Sequence, residues 1–345
     1  MARGYSSYRG RRSKGKILLV AVLALIILAA IGFMFLQRFV VYDDMGSPQL
    51  TLPEVEHSTP AKPQTGAVDI TIETDAEEEA SVPVVEQPQV ILQLSDDPAL
   101  WAQTLLVRGE KAFCVTMKST GGKLRYPFAS GAAGQVNAAA AGTAEALQAL
   151  LGGDYYSVAR ISCLRDGAVA RSNVETMGLK NTGGFIFYDG NNENWLDPAK
   201  EVTRAYIAAL AVECAELGFD EILLTDLCYP TQGKLDKIAY GMPEGAFQPK
   251  WTAEQIADLL AYVKAALGDR DVKLSLEITP TAAENGGVDT VAGLDLADAD
   301  LARLYVPVTA DAAQNLPETI GGAVLVPELT TVPVGGGIST YLLQP

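Results

Sequence analysis

Residues 197–227 read DPAKEVTRAYIAALAVECAELGFDEILLTDL, and this stretch decides the fold. Its first part predicts a helix over 199–217, with Asp197-Pro198 supplying the N-cap and a first-turn proline. Gly218 ends this helix, because glycine readily adopts the left-handed conformation found at helix C-termini. The short apolar run 221–227 then predicts a β-strand, so a helix and a strand follow one another in one short segment.

The same alternation extends over most of the chain. Eight short β-branched or apolar runs predict strands over Val90–Leu94, Ala112–Lys118, Tyr156–Cys163, Glu221–Leu227, Lys273–Ile278, Arg303–Val308, Ala323–Pro327 and Ile338–Leu343. Helices are predicted near 98–107, 137–151, 199–217, 253–267 and 310–316. Thr252-x-x-Gln255 predicts a capping box at the start of the fourth of these helices. This order predicts an α/β protein with a (β/α)8 TIM-like barrel, and the short connections after residue 303 make its C-terminal quarter degenerate. A doubly wound open sheet is the alternative fold.

The composition of the 345-residue chain excludes several kinds of chemistry. Its net charge of −16 argues against a nucleic-acid partner, because phosphate binding needs clustered Lys and Arg. The single histidine, His57, leaves no basis for a catalytic triad or a histidine-based zinc site, and the four cysteines form no C-x-x-C pair. We therefore expect no metal and no cofactor, and carboxylates are the main candidates for catalysis.

The N-terminal part divides into segments of different charge and hydropathy. Residues 1–16 are basic, and residues 17–36 carry no charge over a helical length of about 30 Å, the thickness of a bilayer core. This pattern predicts a single-pass signal anchor in the cell membrane, with a cytoplasmic tail and an extracellular C-terminal domain. A cleaved signal peptide is the alternative, although its apolar region is normally about 7–15 residues long. Residues 43–89 are acidic and proline-rich, which predicts a disordered tether.

Residues 90–345 form the predicted barrel domain, and their net charge of −13 disfavours strongly anionic polymers as ligands. Asp226 lies near the end of the fourth predicted strand and Glu277 near the end of the fifth, both on the inward face. Barrel enzymes carry their chemistry at this C-terminal mouth, and adjacent strands are about 4.8 Å apart. The two carboxyl groups can thus approach the roughly 5–5.5 Å separation of a retaining glycosidase. Alternatively, each is a solvated or arginine-paired carboxylate without a catalytic role.

Several segments carry a resemblance to a known family. They are Val158–Asp166 (VARISCLRD), Trp195-Leu-Asp-Pro198, Ala211–Ile222 (AVECAELGFDEI), Thr225–Pro230 (TDLCYP) and, earlier, Lys118-x-x-Gly-Gly-x-Leu-Arg-Tyr126. Together they resemble a bacterial family of glycoside-hydrolase-like barrels that is distantly similar to the α-amylase clan. The resemblance covers about residues 90–310 and is densest from 156 to 230.

The resemblance implies roles for individual residues. Asp226 matches the family's strand-four aspartate, a nucleophile or stabiliser, and Glu277 lies where α-amylase-like enzymes carry the acid. The residues implied to bind the substrate are Lys118, Arg160, Asp166, Trp195 and Tyr229. The alternatives are internal ion pairs beneath the mouth for Arg160 and Asp166, and a loop tryptophan that covers the third strand for Trp195. The family typically reads Asp-Tyr-x-Arg-Phe-Pro after strand four, whereas Asp226-Leu-Cys-Tyr-Pro230 is shorter and lacks the arginine.

The expected function is that of a membrane-anchored, extracellular glycoside-hydrolase-like protein that cleaves or binds an envelope or environmental polysaccharide. A second hypothesis is a catalytically inert barrel that binds glycan or organises envelope proteins. Under either hypothesis, a glycan and the membrane are the expected partners.

Overall fold

A computed structural model describes residues 40–42, 48–50, 89–289, 293–296, 299–334, 338 and 340–345. The predicted basic tail, the predicted membrane anchor over 17–36 and most of the predicted tether lie outside these residues. Val40–Tyr42 pairs antiparallel with Pro48–Leu50, and the second of these short strands lies within the predicted tether. Within the part of the chain that the structure describes, no helix is long and apolar enough to cross a membrane.

Eight parallel strands between residues 90 and 343 close into a barrel. In chain order they are β1 (Val90–Gln93), β2 (Ala112–Ser119), β3 (Tyr156–Ser162), β4 (Glu221–Thr225), β5 (Lys273–Glu277), β6 (Arg303–Pro307), β7 (Ala323–Leu329) and β8 (Tyr341–Leu343). Each strand pairs with its sequence neighbours, and β1 pairs with both β8 and β2, which closes the ring. The predicted barrel and all eight predicted strands are confirmed, and the alternative of a doubly wound open sheet is wrong.

Helices occupy most of the connections between the strands. They are α1 (Trp101–Arg108), α2 (Thr143–Leu151), α3 (Gly167–Ser172), α4 (Glu201–Leu217), α5 (Gln248–Leu267), α6 (Pro280–Glu284) and α7 (Ala310–Ala313), with 3-10 turns at Pro98–Leu100 and Leu235–Lys237. The remaining short strands are Lys123–Leu124, Val136–Asn137, Lys180–Asn181, Ile238–Ala239, Val288–Asp289, Leu294–Asp295 and Thr319–Ile320. Because α6 and α7 are only about one turn long, the last quarter of the barrel is reduced, as the short connections predicted.

Three predicted helix starts are wrong, although the ends of these helices are right. The helix predicted near 137–151 begins only at Thr143, as α2, and is preceded by the short strand Val136–Asn137. The helix α4 begins at Glu201, and the Asp197 carboxylate accepts a hydrogen bond from the Ala199 amide in the preceding turn. The helix α5 begins at Gln248, so Thr252 lies inside it and its hydroxyl donates to the Gln248 carbonyl. In the segments of α4 and α5 a cap-like residue satisfies local backbone groups without starting the helix, a competition typical of Asp and Thr.

The barrel strands alternate between two apolar layers, as their sequence periodicity predicted. On β2, Phe113 and Met117 pack in the outer layer between strands and helices, while Cys114 lies in the small cluster inside the barrel. Leu223 of β4 and Tyr305 of β6 belong to the same interior cluster. This core fills the middle of the barrel, so it is a packed structure and not a pore.

A buried ion pair closes the base of the barrel. The Arg303 guanidinium lies 3.1 Å from the Glu221 carboxylate, and both side chains are almost fully buried. The Tyr156 hydroxyl donates to the same carboxylate at 2.6 Å. The charges of Arg303 and Glu221 are therefore paired inside the protein, at the N-terminal ends of β6 and β4.

Candidate active site

A cavity of about 500 Å³ opens at the C-terminal ends of β2, β3, β4 and β5. Its lining residues are Thr116, Lys118, Ser119, Thr120, Lys123, Arg125, Arg160, Ser162, Arg165, Thr225, Asp226 and Glu277. Every one of these residues is polar or charged, and none is aromatic. The cavity therefore brings together Asp226, Glu277, Arg160 and Lys118, four of the seven site residues that the sequence predicted.

Asp226 follows β4 immediately and adopts an unusual backbone conformation. Its φ of 51° lies in the left-handed region, which is uncommon for residues other than glycine, although aspartate adopts it more readily than most. The Asp226 Oδ2 atom accepts hydrogen bonds from the Ser162 hydroxyl at 2.5 Å and the Thr120 hydroxyl at 3.0 Å. Hydroxyls from two other segments thus hold one carboxylate oxygen, and the carboxylate keeps a fixed orientation at the edge of the cavity.

Glu277 ends β5 and shares one guanidinium with a second glutamate. The Arg160 side chain from β3 contacts Glu277 through Nη2, and its Nη1 donates to both carboxylate oxygens of Glu328 at 3.0 and 2.9 Å. Glu328 lies on β7 and also accepts a hydrogen bond of 2.8 Å from the Gln344 amide. Arg160 on β3 therefore joins the carboxyl groups of β5 and β7, two strands that flank β6 in the ring.

Glu277 and Glu328, the two glutamates that Arg160 contacts, lie in different surroundings. Burial raises the pKa of Glu277 from 4.5 to about 8, and the negative charges of Glu328 and Asp226 add to the effect while Arg160 opposes it. With its pKa raised in this way, Glu277 holds a proton at neutral pH. Burial lowers the pKa of Arg160, but Glu328 and Glu277 outweigh this and raise it above its usual value.

Lys118 lines the cavity, but its ammonium group is hydrogen-bonded and ion-paired inside the protein. The register between β2 and β3 shifts between Thr116 and Lys118, a β-bulge that interrupts the predicted alternation of faces. The fully buried Lys118 Nζ donates to the Ser162 carbonyl at 2.6 Å and lies 3.1 Å from the equally buried Asp166 carboxylate. Lys118 therefore forms an internal ion pair, with no exposed ammonium to meet a substrate.

Asp166 does not line the cavity. Its side chain is buried and has two structural contacts. Its Oδ1 atom accepts a hydrogen bond of 3.0 Å from the Val169 amide and so caps α3. A Cβ added to Gly122 would lie 1.9 Å from the same oxygen, so the hairpin that follows β2 packs directly on this carboxylate. The lysine–glycine motif noted in the sequence thus meets Asp166 in one buried unit beneath the mouth.

Trp195 and Tyr229 also lie outside this cavity. The Trp195 side chain is buried, its Nε1 donates to the Asp189 carboxylate at 2.9 Å, and its ring lies 5.9 Å from the Arg165 guanidinium. Tyr229 lines a separate pocket of about 680 Å³ and packs edge-on against the Tyr240 ring at 5.3 Å. Neither ring offers a platform for a sugar in the cavity that contains Asp226.

Several residues of the site escaped the sequence analysis. Glu328 continues the inward alternation of β7 after Val326, but Pro327 ended the predicted strand one residue too early. Arg165 and Ser162 both lay within a quoted motif, Val158–Asp166, without an assigned role. In the described ranges, no group of three or more His, Cys, Asp or Glu side chains is arranged to hold a metal ion.

A closed parallel barrel with two carboxyl groups at its C-terminal mouth is an architecture shared by many glycoside hydrolases. Residues 105–293, more than half of the chain, match the model of the family described as "Putative glycosyl hydrolase domain". The chain belongs to this family, which confirms the resemblance found in its sequence. A search of curated protein sequences found no match.

Solved structures with similar folds include a hypothetical protein from Ruminiclostridium thermocellum ATCC 27405, which is 23% identical with a TM-score of 0.44. That match covers 54% of this chain and 96% of the other. The PgaB (BpsB) glycoside hydrolase domain from Bordetella bronchiseptica is 13% identical with a TM-score of 0.48, covering 75% of this chain and 94% of that domain. The α-galactosidase TtGalA from Thermus thermophilus is 14% identical, with a TM-score of 0.39 and coverage of 65% and 42%.

Proposed function

We propose that the barrel hydrolyses glycosidic bonds, with Asp226 and Glu277 as the catalytic pair. One observation carries this proposal: both residues end neighbouring strands and line one open cavity, yet their surroundings differ. Pairs of carboxyl groups with different surroundings divide the roles of acid and base in glycosidases.

Glu277 is suited to the role of general acid. With its pKa raised by burial to about 8, it holds a proton at neutral pH and can donate this proton to the leaving-group oxygen. Asp226, held by the hydroxyls of Ser162 and Thr120, faces the same cavity and would act as nucleophile or as the base that activates water. Retaining enzymes hold the two carboxyl groups about 5–5.5 Å apart and inverting enzymes about 6.5–9.5 Å, so the anomeric configuration of the first product distinguishes the two routes.

We also propose that residues 17–36 anchor the protein in the cell membrane and that the barrel acts outside it on an envelope or environmental polysaccharide. The support is the uncharged apolar run and the six basic residues that precede it. Protease treatment of intact cells provides the test, because an outward-facing barrel is cleaved from the cells while a cytoplasmic control protein survives. A barrel that resists protease until the cells are lysed would contradict this orientation.

A catalytically inert, glycan-binding barrel is the second candidate. It is favoured by one observation: both proposed catalytic carboxyl groups are already hydrogen-bonded within the protein, Glu277 to Arg160 and Asp226 to two hydroxyls. Binding of a saccharide without hydrolysis would select this alternative.

The deciding experiment is a screen of the purified chain against a panel of polysaccharides. Hydrolysis is measured as the release of reducing ends. Asp226→Asn and Glu277→Gln are each expected to reduce the rate at least about 100-fold, the usual scale for loss of a catalytic acid or base. Asp154→Asn is the matched control, because this aspartate is fully exposed and lies before β3, at the opposite end of the barrel. Hydrolysis that survives both catalytic substitutions would refute the assignment.

A further inference from the structure

The cavity at the mouth has an unusual chemical composition for a saccharide site. Neutral sugars are commonly held against aromatic rings, which offer a flat apolar platform, but no aromatic residue lines this cavity. Five of the lining residues are basic and only two are acidic, although the barrel domain as a whole carries a net charge of −13. Basic side chains therefore outnumber acidic ones among the residues that line the mouth.

Two of the five basic residues are already neutralised by buried carboxylates. Lys118 pairs with Asp166, and Arg160 binds Glu328 and contacts Glu277. A third, Arg125, lies 2.9 Å from Asp96. Two cations remain to be considered for a ligand: Lys123, and Arg165, whose ion pair with Glu193 uses Nε and neither terminal nitrogen.

Arg165 is held so that part of its guanidinium remains available. Its Nε donates to the Glu193 carboxylate, and the guanidinium lies 5.9 Å from the Trp195 ring. Its terminal nitrogens make no hydrogen bond to any residue that the structure describes, and the side chain is 28% exposed. A planar guanidinium fixed in this way is pre-organised to bind two oxygens of a carboxylate or phosphate.

Lys123 supplies a second cation on the hairpin that follows β2. It is exposed, lies in the short strand Lys123–Leu124 that pairs with the end of β2, and lines the same cavity as Arg165. Among the described residues, no carboxylate lies within ion-pair distance of its ammonium group. A ligand could therefore meet this charge without first breaking an ion pair.

We propose that the mouth recognises a saccharide that carries an anionic group, a carboxylate or a phosphate, and that Arg165 and Lys123 bind this group. The inference deepens the proposed function, because it concerns the substrate class of the same site. The two cations also offset the repulsion that an anionic sugar would meet from the Asp226 carboxylate. The net charge of the domain, which argued against anionic polymers, does not describe this local surface.

Calorimetric titration of the full-length chain tests the proposal with three probes. They are tetragalacturonate, its carboxyl-reduced neutral derivative, and a short glycerol phosphate oligomer, so that the carboxylate and phosphate arms are compared with a matched neutral sugar. We expect at least one anionic probe to bind about tenfold or more tightly than the neutral derivative, the scale of a charge-assisted hydrogen bond. Added salt should weaken this binding, because exposed charges are screened.

Lys123→Ala and Arg165→Ala should each weaken binding of that anionic probe about tenfold, and Arg165→Lys should recover only part of the loss. Lys111→Ala is the matched control, because Lys111 is exposed and lies before β2 at the other end of the barrel. Three outcomes would overturn the proposal. The neutral and anionic probes bind equally, none of the probes binds, or Lys123→Ala and Lys111→Ala have equal effects on binding. Because Lys123 is exposed, its substitution tests the proposal even where an Arg165 variant fails to fold.

The outcomes separate this inference from the proposed hydrolysis. Hydrolysis of a neutral glycan, with no preference for the anionic probes, would overturn the anion site and leave the hydrolase standing. Binding of an anionic probe with the expected variant effects, but without cleavage, would support the anion site while contradicting hydrolysis of that probe.

Discussion

Replacing Lys118 by methionine would leave the Asp166 carboxylate buried without its counter-ion. Both side chains are fully buried and their charged atoms lie 3.1 Å apart, so water cannot replace the lost ammonium group. The substitution also removes the hydrogen bond of 2.6 Å that Lys118 donates to the Ser162 carbonyl. Methionine has a similar length and volume, so the substitution leaves little empty space. The loss of the ion pair therefore dominates the change in the free energy of unfolding.

The expected loss of stability follows from these contacts. Breaking a buried ion pair by removing one partner typically costs about 3–5 kcal/mol, because the remaining charge is uncompensated. Asp166→Asn keeps the side-chain oxygen that caps α3 through the Val169 amide, but it leaves the ammonium group unpaired. We expect each single variant to be strongly destabilised, and the double variant to lose less than the sum of the two.

Urea unfolding of the wild type, both single variants and the double variant gives the coupling free energy of the pair. We expect a coupling of about 2 kcal/mol or more for Lys118 and Asp166. The control cycle uses Lys111 and Asp154, whose charged atoms are 4.0 Å apart and largely exposed, and it should show no measurable coupling. Additivity within about 0.5 kcal/mol for the buried pair would refute the reasoning.

Two further predictions concern Glu277 and the hairpin above Asp166. The pKa of Glu277 rises from 4.5 to about 8 on folding, so the folded state binds an extra proton in this window and the free energy of unfolding falls as pH rises through it. Glu277→Gln should remove most of this fall in urea unfolding between about pH 5 and about pH 9, and an unchanged fall would contradict the assignment. Gly121 and Gly122 have φ values of +85° and +83°, but only an added Cβ on Gly122 would meet Asp166, whereas Gly121 has no atom within 4 Å. Gly121→Ala should therefore cost about 1–2 kcal/mol and Gly122→Ala clearly more, and equal melting temperatures would show that the hairpin does not pack as described.

The sequence predicted the elements of the barrel well, because its signals there are local. Each strand is a short apolar run with period two, and Gly218 ends α4 in the left-handed conformation, with a φ of 98°. Helix starts were less reliable: Asp197 and Thr252 carry the right side chains for caps but bond to backbone groups elsewhere in their turns. The presence of a capping residue does not decide where the first helical turn forms.

The candidate site was predictable only in part. Asp226 and Glu277 reach one cavity because parallel strands end at the same mouth, a consequence that strand order alone implies. The ion pair of Lys118 was not predictable, because Asp166 follows a different strand and meets this ammonium group only in the folded barrel. Trp195 lies near the Arg165 guanidinium and does not line this cavity, an arrangement that the sequence around either residue does not indicate.

The amino-acid sequence by itself determined the alternation of strands and helices, the family and the inward face that carries Asp226 and Glu277, because each depends on residues close together in the chain. Only the tertiary structure decided which charges meet. Arg160 binds Glu328, 168 residues further along, because closing the barrel brings β3 and β7 to opposite sides of one mouth. The same closure places basic side chains around the mouth of an acidic domain, and no average over the chain could have shown that local charge.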